Sequence, residues 1–259
     1  MQYFDQIENI MVRSGQLVMQ YFRQDLEVYC KIDGSLATNV DIENEIFLQQ
    51  ELLRIMPDAG IVAEESGAQN EDREYMWIID PLDGTKNFIQ GIPHFCICIA
   101  LTFRGEPIVG AIYNPITKDL YYAEKGLGAW LNGKNKIAIQ DQNFENTGVL
   151  VVVDDLQLKH IKLQQELKSG CNNLQISNRY FGCAGLDSVY VAAGYLNFIV
   201  FENIAWWDVA AGMLLIEQAG GMVDWKIKSS DKSISGRFIA GHPSIFKQFY
   251  MIVDSKICN

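Results

Sequence analysis

Met76-Trp-Ile-Ile-Asp80-Pro-Leu-Asp83-Gly-Thr85 runs an apolar segment straight into two carboxylates three residues apart. The run predicts a buried strand over Met76–Ile79 that delivers Asp80 and Asp83 at its exit. Gly84 allows a sharp turn there, and Thr85 adds a hydroxyl. Acidic side chains are costly to bury unless they pair or coordinate a cation, so this exit suggests a metal site. Two distant segments add oxygen donors. Ile61-Val-Ala63 reads as a short strand delivering Glu64 and Glu65, and Asp208 opens a helix expected over Asp208–Gln218, ended by Gly220-Gly221. Glu64, Asp80, Asp83 and Asp208 are hard ligands suited to magnesium or manganese. Each also has a plainer reading: aspartates at strand ends and helix starts often cap or face water, Thr85 serves as a turn residue, and Glu64-Glu65 is an acidic corner.

Outward from this core, Ile7, Ile10, Met11, Ser14, Leu17, Val18 and Tyr21 keep helical spacing, predicting an amphipathic helix over residues 2–24. Asp33-Gly34 marks a turn, and a second helix is expected over Asp41–Ile55, with Pro57 beyond its end. From Phe95 to Ile139 the pattern is β, with Asn132-Gly a hairpin turn. Cys96 and Cys98 alternate with apolar neighbours and should share one strand face. A strand over Gly148–Val153, a helix-like segment before Gly170, polar residues at Cys171-Asn-Asn, a helix over Cys183–Gly194 and a strand over Phe198–Phe201 follow. No repeat or long linker interrupts the chain. Two α/β subdomains, 1–142 and 143–259, are expected within one unit.

The 259 residues carry a formal charge of −11, with 49% hydrophobic and 20% charged residues. This is an ordinary globular composition, and its acidity disfavours nucleic acid or an anionic membrane as partner. A phosphorylated substrate stays compatible, because bound cations invert the local sign. No apolar stretch approaches the ~20 residues of a membrane span, and the first 24 residues hold no uninterrupted apolar core of a secretory signal. Six scattered cysteines form no CxxC pair, so zinc is not expected and a reduced, cytoplasmic protein is. His94, His160 and His242 show no mutual spacing that suggests a site.

Ala63-Glu-Glu-Ser66, Trp77-Ile-Ile-Asp-Pro-Leu-Asp-Gly-Thr-Lys-Asn-Phe88 and Trp207-Asp-Val-Ala-Ala-Gly212 resemble the signatures of the inositol monophosphatase family. The resemblance extends to Lys31-Ile-Asp-Gly-Ser, Thr38 and Asp41, Gly126-Leu-Gly-Ala-Trp130, Asn132-Gly and Gly182-Cys-Ala-Gly-Leu-Asp187, nearly the whole chain. It implies a layered α-β-α-β-α sandwich of the inositol monophosphatase and fructose-1,6-bisphosphatase type, magnesium dependence, inhibition by lithium and a homodimer. Glu64 and Asp80, with the carbonyl of Leu82, would hold a first metal. Asp80 would bridge to a second held by Asp83 and Asp208, and a third, weakly held magnesium would sit near Glu64. Asp41 and Thr85 would pair to activate the attacking water, with Glu64 as a second proton acceptor. Two cations roughly 3.5–4 Å apart offset the repulsion between a phosphate ester and the carboxylates. The N–H groups of Gly84 and Thr85 would hold phosphate oxygens.

For the substrate, the resemblance points to Gly182, Cys183 and Ala184, with Asp83 and Asp208, around the leaving group. Many inositol-cleaving relatives place a glutamate seven residues before the Trp-Asp aspartate. Here that position is Phe201 and the nearest glutamate is Glu202. Either a one-residue bulge brings Glu202 into the pocket or that acceptor is lost. A small polyol phosphate such as myo-inositol monophosphate is the expected substrate. Fructose 1,6-bisphosphate, histidinol phosphate and adenosine 3′,5′-bisphosphate are the alternatives, beside a regulatory, partner-binding role on the same scaffold.

Overall fold

Strand alternation sets the layering of this computed structural model, which describes residues 1–32, 34–154, 165, 174–229 and 234–257. The chain opens with α1 (Phe4–Tyr21), a β1–β2 hairpin (Val28–Cys30 and Leu36–Thr38) and α2 (Asn39–Ile55). Helix α1 is shorter than the expected 2–24. After Tyr21 the backbone turns extended at Phe22 and left-handed at Arg23 (φ 63°), whose guanidinium donates to Gly91 O. Helix α2 starts two residues before Asp41 because Thr38 caps it, with its Oγ1 accepting from Val40 N at 3.2 Å.

An eight-stranded sheet follows, built from β3 (Gly60–Ala63), β4 (Gly67–Gln69), β5 (Tyr75–Asp83), β6 (Cys96–Phe103), β7 (Glu106–Asn114), β8 (Asp119–Glu124), β9 (Gly128–Leu131) and β10 (Asn135–Ile137). Its order is β10-β9-β8-β7-β6-β5-β3-β4, antiparallel except for the parallel β3–β5 pair. The one-turn helix α3 (Thr85–Ile89) sits between β5 and β6, and Asn132-Gly133 makes the β9–β10 hairpin as expected. Beyond α4 (Phe144–Thr147) lies a five-stranded sheet of order β12-β11-β13-β15-β14. Its strands are β11 (Val149–Asp154), β12 (Ile176–Arg179), β13 (Phe198–Ala205), β14 (Met222–Ser229) and β15 (Ser235–Gly241). Helices α5 (Ala184–Ala192), α6 (Trp206–Gln218) and α7 (Pro243–Ile257) complete the order.

Three apolar cores hold five layers together. Ile7, Met11 and Val18 of α1 and Leu48 and Leu52 of α2 pack on Trp77, Ile79, Ile97 and Ile99, one face of the large sheet. Ile78, Cys96, Cys98 and Ala100, one residue out of step, face the opposite way. There they meet Leu186 and Val189 of α5 and Val209 and Leu214 of α6, which also rest on Ile199, Phe201 and Phe238 of the small sheet. On that sheet's far face, Phe198, Val200 and Ile239 pack under Phe246, Phe249 and Val253 of α7. The result is the expected α-β-α-β-α sandwich, with α5 and α6 as its middle layer. Apart from residue 165, the helix-like segment expected before Gly170 lies outside the described residues, as do Cys171-Asn-Asn, His160 and Asp33 of the expected turn.

Candidate active site

The acidic exit of β5 owes its shape to one extra residue. Asp80 pairs with Cys98 and Asp83 with Cys96, so three steps on β5 match two on β6. Without this bulge Asp80 and Asp83 would point to opposite faces; with it both turn toward the middle layer. Pro81 fits the bulge because it has no N–H to lose from the ladder. Its carbonyl accepts from Asn44 Nδ2 at 2.7 Å, and Leu82 N donates to Asp80 Oδ1 at 3.0 Å. Gly84 follows with φ 89°, and a β-carbon there would come within 3.0 Å of His94 O.

Helix starts supply two more acids. Asp41 lies in the first turn of α2, where its Oδ2 accepts from Thr38 N at 2.7 Å and Thr38 Oγ1 at 2.5 Å. Its other oxygen, Oδ1, accepts from Thr85 Oγ1 at 3.1 Å, while the same hydroxyl lies 2.9 Å from Leu82 O. Asp208 accepts from Ala205 N at 3.2 Å at the start of α6. Both aspartates therefore cap helices, and Asp208 also lines the site's cavity.

Glu64, Asp83, Gly84, Thr85, Gly182, Cys183, Ala184 and Asp208 line one cavity of about 440 Å³. Asp80, Asp41 and Leu82 are buried beneath it. Burial, then the charges of Glu64, Asp83 and Asp208, raises the Asp80 carboxyl well above its ordinary value. Asp208 is raised in the same way, by burial first and then by Asp83 and Glu64. Glu64 is pushed up to about 7, chiefly by burial, although the Lys31 ammonium opposes the rise. Burial also raises Asp83 and Asp41, against the hydrogen bonds each accepts. Asp80 Oδ2 is buried with no donor among the described residues. An orphaned carboxylate oxygen among three further acids is a poor arrangement for a metal-free protein and a fitting donor set for a hard cation such as magnesium or manganese.

Glu202 does not join the cavity. The bulge considered from the sequence is present, but it falls between Phe201 and Ile204, with Asn203 left-handed at φ 56°. Phe201 and Ile204 therefore face the cavity with Val152, and Glu202 points away to pair with Lys228, its side chain only 5% exposed. The wall where a hydroxyl acceptor was sought is apolar.

Several contributors escaped the sequence reading. Lys31 is no surface charge: its ammonium bridges Glu64 Oε1 at 2.7 Å and Glu65 Oε1 at 2.6 Å. Burial alone would lower its pKa, but the two carboxylates hold it above the ordinary value. Glu45 receives the N–H groups of Glu65 and Ser66 at 2.7 and 2.9 Å, fixing the acidic corner. Asn87 donates to His94 O at 2.9 Å and Phe181 O at 2.8 Å, joining the β5 exit to the Gly182 turn. Lys31 and Asn87 stand within family-like segments whose partners those segments do not name, and Glu45 carries no local motif. His94 packs by Phe181 and Tyr190, and His242 bonds Gln140 O at 2.9 Å; neither lines the cavity.

Residues 2–253 match the profile of the Inositol monophosphatase family. The chain is 36% identical to an inositol-1-monophosphatase of Caulobacter vibrioides over 233 residues, covering 86% of this chain and 91% of that one. It is 34% identical to the Nus factor SuhB of Pasteurella multocida over 250 residues, 93% and 92% of the two chains. The crystal structure of the extragenic suppressor protein SuhB from Bartonella henselae superposes with a TM-score of 0.85 at 30% identity, covering 99% of this chain and 100% of that one.

Proposed function

The chain belongs to the inositol monophosphatase family, and on that premise we propose that it is a magnesium-dependent phosphomonoesterase. Its substrate is myo-inositol monophosphate or a similar small polyol or sugar phosphate. The observation that carries this reading is the Thr85–Asp41 hydrogen bond of 3.1 Å beside four converging acids. Glu64, Asp80, Asp83, Asp208 and the Leu82 carbonyl would hold the metal ions, with manganese an alternative. Bound magnesium would neutralise the ester's charge and act as a Lewis acid.

The chain's own groups do the rest. Thr85 Oγ1 takes the attacking water's proton as it passes its own to Asp41 Oδ1. Burial raises the Asp41 carboxyl, which makes it the better acceptor. Glu64 is a second acceptor beside it. Gly84 and Thr85 N–H groups hold phosphate oxygens, while Gly182, Cys183 and Ala184 border the leaving group. The residues divide between subdomains 1–142 and 143–259, so both must be docked for turnover.

Phe201, Ile204 and Val152 offer no acceptor to a sugar hydroxyl. That wall discriminates weakly among hydroxylated substrates, while Asp187 elsewhere on the cavity lining is a carboxylate that a substrate hydroxyl can meet. The deciding experiment is phosphate release from inositol 1-phosphate, fructose 1,6-bisphosphate, histidinol phosphate and adenosine 3′,5′-bisphosphate, with and without magnesium and lithium. Magnesium-dependent, lithium-sensitive release supports the proposal; silence across the panel with metal bound rejects it.

A partner-binding role is the second reading, supported by relatives named Nus factor SuhB. Trp206, Trp225, Met213 and Ile234 border an apolar groove suited to the second subunit of a homodimer. Among the described residues no helix is long and apolar enough to cross a membrane, and we place the protein in the cytoplasm.

A further inference from the structure

Three thiols converge on Asp83 from two separate segments. Cys96 and Cys98 point the same way from β6, and Cys183 comes from the residue before α5. Cys96 Sγ lies 3.6 Å from Cys98 Sγ and 3.5 Å from Cys183 Sγ. Asp83 Oδ2 is 3.1 Å from Cys183 Sγ and 3.6 Å from Cys96 Sγ. Asp83 Oδ2 and the sulfurs of Cys96 and Cys98 all lie within 4.8 Å of one another. All three thiols are free and buried.

We infer that Cys96, Cys98, Cys183 and Asp83 form a binding site for one thiophilic divalent cation of the zinc and cadmium class. The spacing carries the inference. Ligands around a tetrahedral zinc with Zn–S of about 2.3 Å stand about 3.8 Å apart, so the separations of Cys96 from Cys98 and from Cys183 need only small adjustments. Asp83, Cys96 and Cys98 form the compact core of the site that Cys183 joins from the side of Cys96. They are far from the ~2.05 Å of a disulfide. The room is provided by Gly185. A β-carbon there would lie 2.6 Å from Cys98 Sγ, 2.8 Å from Cys96 Sγ and 3.1 Å from Asp83 Oδ2, so any side chain would invade the cluster. Gly185 N also holds Asp83 Oδ2 in place at 2.6 Å.

Asp83 and Cys183 line the cavity, and Cys96 and Cys98 stand buried behind them. Magnesium has no affinity for thiols, so the sulfur side selects soft cations and the carboxylates on the cavity side select hard ones. Each thiol that coordinates gives up its proton to solvent. Asp83 belongs to both sets. A soft cation therefore takes that carboxylate from magnesium and inhibits turnover, a consequence that rests on the proposed phosphatase reading; the binding itself does not.

The test is a cadmium titration of the full-length reduced protein, followed by thiolate-to-cadmium charge-transfer absorbance. Wild type and Cys30→Ser, which alters an exposed thiol, should saturate at one equivalent. Cys96→Ser and Cys98→Ser should bind at least ~10-fold more weakly. Absence of the band, or a band unchanged in both variants, overturns the proposal. Should either variant fail to fold, cadmium-113 NMR of wild type decides. A resonance in the sulfur-ligated range supports the site, and a shift in the all-oxygen range rejects it. In a phosphate-release assay, zinc should inhibit wild type more strongly than Cys96→Ser. A protein that binds cadmium but hydrolyses nothing defeats the phosphatase reading alone. Turnover without cadmium binding defeats this inference alone.

Discussion

Asp83 stands opposite Cys96 on the neighbouring strand, although Asp80, three residues earlier, stands opposite Cys98, two residues later. That one-residue mismatch puts both acids on one face. Asp83→Asn should lower turnover by more than ~100-fold, since an amide is a poor ligand for magnesium. Its amide oxygen can still accept from Gly185 N, so the melting temperature without metal should not fall. Turnover near the wild-type rate would remove Asp83 from the ligand set.

Thr85→Ala removes the hydroxyl between Asp41 and Leu82 O. The rate should fall ~10²-fold, the scale of a positioned proton-transfer group, while magnesium affinity stays nearly constant. An unchanged kcat would show that water is activated without this hydroxyl.

The raised carboxyls give the metal-free protein a definite pH response. In the folded state Glu64 titrates near 7 instead of 4.5, so the native state binds more protons than the unfolded chain between those values. Stability is then greatest below 4.5 on this account and falls as pH rises through about 7. In EDTA the melting temperature should drop between pH 5 and pH 8, by the equivalent of about 1–3 kcal/mol. Magnesium should restore most of it at pH 8. A melting temperature rising with pH over that range would contradict the buried, mutually repelling carboxylates.

Asn44 is fully buried, accepting from Ser14 Oγ and donating to Pro81 O, both at 2.7 Å. Asn44→Ala strands both partners and should cost about 1–3 kcal/mol. Because Pro81 lies inside the bulge, magnesium titration should also show weaker binding. Equal melting curves for the two proteins would mean that other contacts hold the bulge.

The strands and helices that carry the site were legible because their signals are local, whereas the five-layer sandwich was expected only through the family resemblance. Alternation placed Cys96 and Cys98 on one face, and the apolar run before Asp80 marked its strand. What stayed hidden depends on partners far along the chain. Phe201 and Glu202 exchange roles according to where β13 bulges against β15, a register that no window around them encodes. Lys31 meets Glu64 across 33 residues and Cys183 meets Cys96 across 87, so neither pairing has a motif. The β1–β2 hairpin was missed because Val28–Cys30 is exposed throughout, leaving no burial pattern to read.

Lys31 holds Glu64 and Glu65 with a single ammonium. Any cation that takes Glu64 Oε1 must evict a positive charge already seated there. On the proposed reading the lysine would serve as a placeholder, keeping part of the acidic pocket compensated until a divalent cation displaces it, so that loading metal would be an exchange of one counter-ion for another.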